Sequence, residues 1–172
     1  GVGVADKTAP VSGSTITAPV SVATPVTPTA TQTTTVAIPA NTQLKDATGT
    51  PVASTAVNIF VVNLDVEKPA SLQFIPNSSL VQTAVVNNVP QTVVFAPAGI
   101  ATIEMTAANG TPIKQFSQPV NVTTTLDPAT TNPNTGAAIK AGDALDYYSY
   151  DAVTNTWKYE SSGVVTNTNG VL

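Results

Sequence analysis

The sequence predicts an all-β chain: an immunoglobulin-like antiparallel β-sandwich of about ten short strands, with a C-terminal aromatic hairpin. Three observations carry this. Apolar residues alternate with polar ones in short runs that turn formers separate every 8–14 residues, the spacing of a sandwich. No stretch holds a helical period; the best candidate, residues 79–88 "SLVQTAVVNN", is short and β-branched. Charged residues make up only 9% of the chain against roughly 25% in an ordinary soluble domain, and 29 threonines take their place.

Residues 1–10, "GVGVADKTAP", read as a flexible lead, and residues 11–172 as a single sandwich domain. In "STITAPVSVA" (14–23) Ile16, Val20 and Val22 are the apolar beats. "PVTPTATQ" (25–32) is too proline-rich for a central strand and reads as an edge or connection. "TTTVAIPA" (33–40) is a strand ending at Pro39, and "TQLKDATGTPV" (42–52) turns around Asp46–Gly49. "AVNIFVVNLDV" (56–66) is the strongest strand, with a continuous apolar centre as in a strand covered on both faces. "SLQFIP" (71–76) is a short strand followed by an "NSS" turn, and "QTVVFAP" (91–97) is another strand. In "GIATIEMTAANG" (99–110), Ile103 and Met105 face inward, and Asn109-Gly110 marks a hairpin turn. "QPVNVTTTL" (118–126) alternates with Val120, Val122, Thr124 and Leu126 on one face, before the loop "DPATTNPNTG" (127–136). Residues 137–172 hold the aromatic hairpin and a last strand, "GVVTNT".

The composition narrows the chemistry. There is no Cys, which excludes disulfides and thiolate-bound metals. There is no His, the commonest general base and transition-metal ligand. There is no Arg, and the net charge is −4, which opposes contact with nucleic acid or anionic membranes. Together these argue against an enzyme and against a cofactor. No window reaches the ~18 apolar residues of a membrane-spanning helix, so direct bilayer insertion is not expected. The chain begins at Gly1 and its only Met is Met105, which points to a missing N-terminal segment with room for a signal or lipid-attachment Cys. Weakly charged, threonine-rich β-domains are the compositional type of secreted and cell-surface proteins, and neighbouring domains of a longer parent are expected.

Five of the nine aromatic residues fall between Tyr147 and Tyr159. A hairpin with Asp151 opposite Thr156 pairs Tyr150 with Trp157, Ser149 with Lys158 and Tyr148 with Tyr159. Strand alternation then sets Tyr148, Tyr150, Trp157 and Tyr159 on one face, with Tyr147 on the other beside Leu145. Those four are the candidate ligand-binding residues, a platform for stacking sugar rings or an apolar partner. The alternative is a cross-strand ladder that packs one edge of the fold, and a one-residue register slip would reverse the face. Asp151 at the loop start is placed to accept loop N–H groups, and Asn155 tolerates a left-handed backbone.

The remaining acids form small groups: Asp65 with Glu67, Asp143 with Asp146 and Asp151, and Asp127 alone. Their spacing matches no Ca²⁺ loop and suits solvated turns better. A two-carboxylate glycosidase lacks cleft-forming loops and basic support. Asn77, Asn109 and Asn121 head glycosylation sequons.

Residues 33–126 hold Ile38-Pro39, Pro97-Ala98-Gly99, and Phe116, Pro119, Val120 and Val122. This pattern resembles the β-sandwich domain shared by ankyrins, netrin receptors and tight-junction scaffolds, in a bacterial surface-protein version. The resemblance implies a sandwich fold and a scaffolding role without catalytic residues. Phe116-Ser117 is similar to the Phe-Ser step at which some relatives cut their own chain, but Gln115 stands where an activating His is needed. "YDAVTNTW" (150–157) is similar to one kelch segment, without the repeat that a propeller requires. The expected function is a non-catalytic structural or interaction module of a secreted or cell-surface protein, of the lipoprotein or outer-membrane-associated kind, serving adhesion, spacing or assembly. The alternative is a carbohydrate-binding module that uses the aromatic face. The expected partners are a protein or a glycan at the cell surface.

Overall fold

A computed structural model describes residues 2–66, 75–76 and 80–172. Thirteen strands are present among them. They are β1 (Val2–Ser12), β2 (Thr15–Ile16), β3 (Val20–Ala23), β4 (Thr34–Ile38), β5 (Leu44–Lys45), β6 (Ala56–Leu64), β7 (Val81–Val86), β8 (Val89–Val94), β9 (Ile100–Ala107), β10 (Gln115–Phe116), β11 (Asn121–Thr124), β12 (Ala144–Asp151) and β13 (Thr156–Val164). The all-β, sandwich-like expectation holds. The chain divides into two compact units: Gly1–Asp65 with Gly99–Thr125, and Val66–Ala98 with Leu126–Leu172. The aromatic segment 137–172 thus shares a unit with Val66–Ala98.

The first unit contains a sheet of order β2-β1-β6-β9, a sheet of order β11-β4-β3 and the ribbon β10-β5. Every pairing among these strands is antiparallel. β6 lies in the sheet interior, paired to β1 and β9 along its length. Its inward beats Val57, Ile59 and Val61 are fully buried, and its other face is half-buried, as the continuous apolar run suggests. Ile16, Val36, Ile38 and Leu44 meet them in one core, joined by Met105 from β9. Ile103 packs against that core as expected.

One expectation needs correction. Residues 2–10, read as a flexible lead, form most of β1, and β1 pairs with β6 from Val2↔Leu64 to Pro10↔Ala56. The alternation was hidden because its inward positions carry small residues. Gly3 and Ala9 are buried, and a Cβ on Gly3 would lie 3.2 Å from Thr24 Cβ. A close-packed site with no side chain gives no hydrophobic beat.

The core includes a buried polar knot. Thr34 and Asn63 are fully buried on β4 and β6. Thr34 Oγ1 donates to Asn63 Oδ1 at 2.7 Å, and Asn63 Nδ2 donates to the Gln32 carbonyl at 3.1 Å. The Thr34 N–H donates to Thr24 Oγ1 at 3.0 Å, and Gln32 Nε2 donates to the Thr125 carbonyl at 3.2 Å. Asp65, also fully buried, accepts from both the N–H and the hydroxyl of Thr31. Buried polar groups persist only when so partnered.

The second unit is one sheet of order β12-β13-β7-β8. Two antiparallel hairpins meet at a parallel seam, with Trp157↔Ala84 and Lys158↔Val85 as its pairs. The β7–β8 turn is Asn87-Asn88, both at positive φ (50° and 64°), as a two-residue type I′ hairpin requires. Within the best helical candidate, 79–88, Val81–Val86 are therefore strand, and the β-branched residues there suit that state. The strand expected at 71–76 and the "NSS" turn lie largely outside the described residues.

Candidate functional site

The aromatic hairpin has the predicted register: Tyr148↔Tyr159, Ser149↔Lys158, Tyr150↔Trp157 and Asp151↔Thr156. The loop chemistry fixes it. Asp151 Oδ1 accepts the Val153 N–H at 2.8 Å, and Asn155 takes φ 53°. Tyr150 donates its hydroxyl to Asn155 Oδ1 at 3.0 Å, tying the first ring to the turn.

A bulge falls between Tyr147 and Tyr148. Tyr147 pairs with Ser161, so Glu160 is the extra residue of β13. Ser149 Oγ donates to Glu160 Oε1, and Ser162 Oγ donates to Asp146 Oδ1, both at 2.6 Å. Tyr147 is 51% exposed, and its ring lies over Gly163, where a Cβ would stand 2.5 Å from Cε2. Gly163→Ala is expected to swing this ring outward at a cost below about 1 kcal/mol, since only a mobile ring end must yield. A changed Tyr147 ring NMR signal with a nearly unchanged melting temperature checks it.

Tyr148, Tyr150, Trp157 and Tyr159 are brought together, each half-buried. A fifth ring joins them. Phe95, just past β8, lies 5.0 Å from Tyr148 and 5.2 Å from Trp157. Tyr148 meets Tyr159 at 5.7 Å, and Tyr150 meets Trp157 at 5.2 Å. The interplanar angles run from 55° to 79°, the tilted and edge-on geometry that aromatic quadrupoles favour. Sugar rings stack on flat faces, and these rings present tilted edges to one another. Burial raises the Tyr148 phenol above its usual pKa, with Asp146 and Tyr159 adding to it. The Trp157 Nε1 is buried and meets no acceptor among the described residues. Sequence reasoning missed Phe95, whose place depends on the parallel seam.

The carboxylates are committed to local structure. Asp46 Oδ1 accepts from the N–H groups of Thr48 and Thr50 and from the Thr48 hydroxyl. Asp127 accepts the Ala129 N–H, Asp143 the Lys140 N–H, and Asp6 an Asn58 amide proton. With Asp65, Asp146, Asp151 and Glu160, eight of the ten acids hold the chain's own turns and strands. No group of three His, Cys, Asp or Glu that could hold a metal occurs among the described residues.

Hydrogen bonding lowers the Asp46 carboxyl, chiefly through the Thr48 hydroxyl, and the Asp151 carboxyl, chiefly through the Val153 N–H. Groups lowered on folding add stability above their unfolded value, here near 3.8, and lose it as pH falls through the folded value. Both loops are therefore expected to keep their order at neutral pH and loosen only below about pH 3.8. Carboxyl NMR titration of Asp46 and Asp151 against Asp46→Asn and Asp151→Asn checks this; midpoints at or above 3.8 would contradict it.

At the Phe-Ser step, the Ser117 hydroxyl oxygen accepts the Gln43 N–H at 2.7 Å, and Gln115 Nε2 donates to the Ala47 carbonyl. Both side chains serve the β5–β10 ribbon. Of the sequons, Asn109 Oδ1 accepts the Thr111 N–H in a local turn, Asn121 is exposed, and Asn77 lies outside the described residues. An open cleft of about 240 Å³ lies at the ends of β3 and β4, lined by Pro19, Ile38 and Pro39 among others, and none of the aromatic candidates lines it. No helix among the described residues is long and apolar enough to cross a membrane. No family model, curated protein or solved structure matches this chain.

Proposed function

We propose that this chain is a non-catalytic structural or interaction module of a secreted or cell-surface protein, of the lipoprotein or outer-membrane-associated kind, serving adhesion, spacing or assembly. The observation that carries the reading is the employment of its carboxylates. Eight of ten accept hydrogen bonds from nearby turns and strands, an arrangement that suits rigidity better than proton transfer. The low charge, the threonine-rich surface and the resemblance of residues 33–126 to scaffold sandwiches support it. The half-buried, mutually tilted rings favour a packed ladder over a sugar platform.

Protease shaving of intact source cells is the test. Peptides of this chain should be released before any cytoplasmic marker. Recovery only after lysis would refute the surface reading. Affinity electrophoresis of the purified chain through gels containing cellulose, chitin or xylan tests the carbohydrate alternative. Retardation abolished by Tyr150→Ala would favour that alternative instead.

A further inference from the structure

Open sheet edges invite strand addition, and proteins guard them with charge, proline, bulges or short length. Most open edges here are guarded. β2 has two residues. β3 and β11 have four each; Pro19 directly precedes β3, and Pro119 stands two residues before β11. β9 carries Glu104, and β12 carries Asp146 and Asp151 beside a bulge.

The exception is β8, the outer strand of the second unit's sheet. It has six residues, five of them exposed and the sixth half-exposed, and no strand lies beside its outer side among the described residues. No charged residue occurs in the sequence between Lys68 and Glu104. The Phe95 N–H donates to the Leu80 carbonyl at 2.8 Å, which fixes the phase of the ladder. Val89, Gln91 and Val93 therefore turn their backbone groups toward β7, while Pro90, Thr92 and Val94 turn theirs outward. Pro90 lacks an N–H at an outward position, so it guards one end only. Thr92 and Val94 keep both outward groups, and Val94 is 74% exposed.

We propose that β8 is a self-association edge whose occupant is β8 of a second copy, antiparallel across a two-fold axis. The pattern is self-complementary. With Val93 facing its symmetry mate, Thr92 of each copy opposes Val94 of the other, and the four outward N–H groups meet four carbonyls. Pro90 falls outside this quartet. The chain has net charge −4, and this edge lets two copies meet without bringing charged side chains together. The joined sheet would have eight strands, and the exposed Val81 and Val94 would lie near the new seam.

A strand-edge contact is small, so association should be weak and visible at high concentration. Sedimentation velocity of the full chain from about 10 μM to 1 mM should show a monomer passing into a dimer. Thr92→Pro removes an outward N–H and spares the β7 ladder; it should weaken dimerisation at least about tenfold without moving the melting temperature. Thr92→Val, which keeps the N–H, should dimerise like the original chain. Val94→Lys should abolish the dimer and answers the question if Thr92→Pro fails to fold. A chain that stays monomeric throughout, or a dimer indifferent to both Thr92→Pro and Val94→Lys, overturns the proposal. These outcomes are independent of the surface-shaving result.

Discussion

Asn63→Leu is expected to destabilise the first unit by about 3 kcal/mol, seen as a fall of more than about 1 M in the urea midpoint. The substitution keeps size and adds apolar surface, so a purely hydrophobic account would expect little loss. The polar account differs. Asn63 occupies a wholly buried position on β6, accepting from Thr34 Oγ1 and donating to the Gln32 carbonyl. Without it, the Thr34 hydroxyl keeps at most the 3.2 Å contact with Thr124 Oγ1, and the hydrogen bond from Asn63 Nδ2 to the Gln32 carbonyl is lost. A buried group left without a partner costs roughly 1–3 kcal/mol. Adding Thr34→Val removes the hydroxyl deprived of its best acceptor, so the double variant should lose less than the sum of the singles. The control is Asn58→Ala, whose bond to Asp6 is exposed; its cost should stay within about 0.5 kcal/mol. A full-sized loss at Asn58, or none at Asn63, would contradict the account.

Phe95→Ala is expected to destabilise the second unit by about 2–3 kcal/mol and to shift tryptophan emission to longer wavelength. Trp157 is the only tryptophan, so emission reports this cluster alone. Phe95 touches Tyr148 and Trp157 at once, and its loss opens the indole to water. Half-burial places the expected cost below that of a fully enclosed Phe. Unchanged emission and an unchanged melting curve would show that the rings are held from elsewhere.

Local rules account for what was legible in the sequence. The hairpin register followed from a loop whose Asp and Asn chemistry is set within five residues, and alternation then placed four rings on one face. The strands β4, β6 and β9 were equally plain, β6 from its continuous apolar centre and β9 from its alternation. What was not legible depends on distant pairing. The parallel seam joins Ala84 to Trp157, and no periodicity announces it. Phe95 enters the ring cluster only through that seam. β1 was missed because glycine and alanine fill its inward positions. The polar knot did leave a trace: Asn63 falls on the inward beat of Val57, Ile59 and Val61. A polar residue on an otherwise apolar beat marks a buried hydrogen-bond pair. Asp65, which its neighbourhood with Glu67 suggests is a solvated turn acid, is instead buried and accepts from Thr31, a partner 34 residues away.

The parallel seam also bears on synthesis. β7 is complete at Val86, but β13, its neighbour on the other side, ends at Val164, 78 residues later. At ribosomal speeds of roughly 5–20 residues per second, the interval is about 4–16 s. Throughout it the β7–β8 hairpin is an uncharged ribbon that still lacks its Ala84 and Val85 pairing with β13. The asparagine turn closes that hairpin early, but the pairing at Ala84 and Val85 waits until the last aromatic strand has emerged.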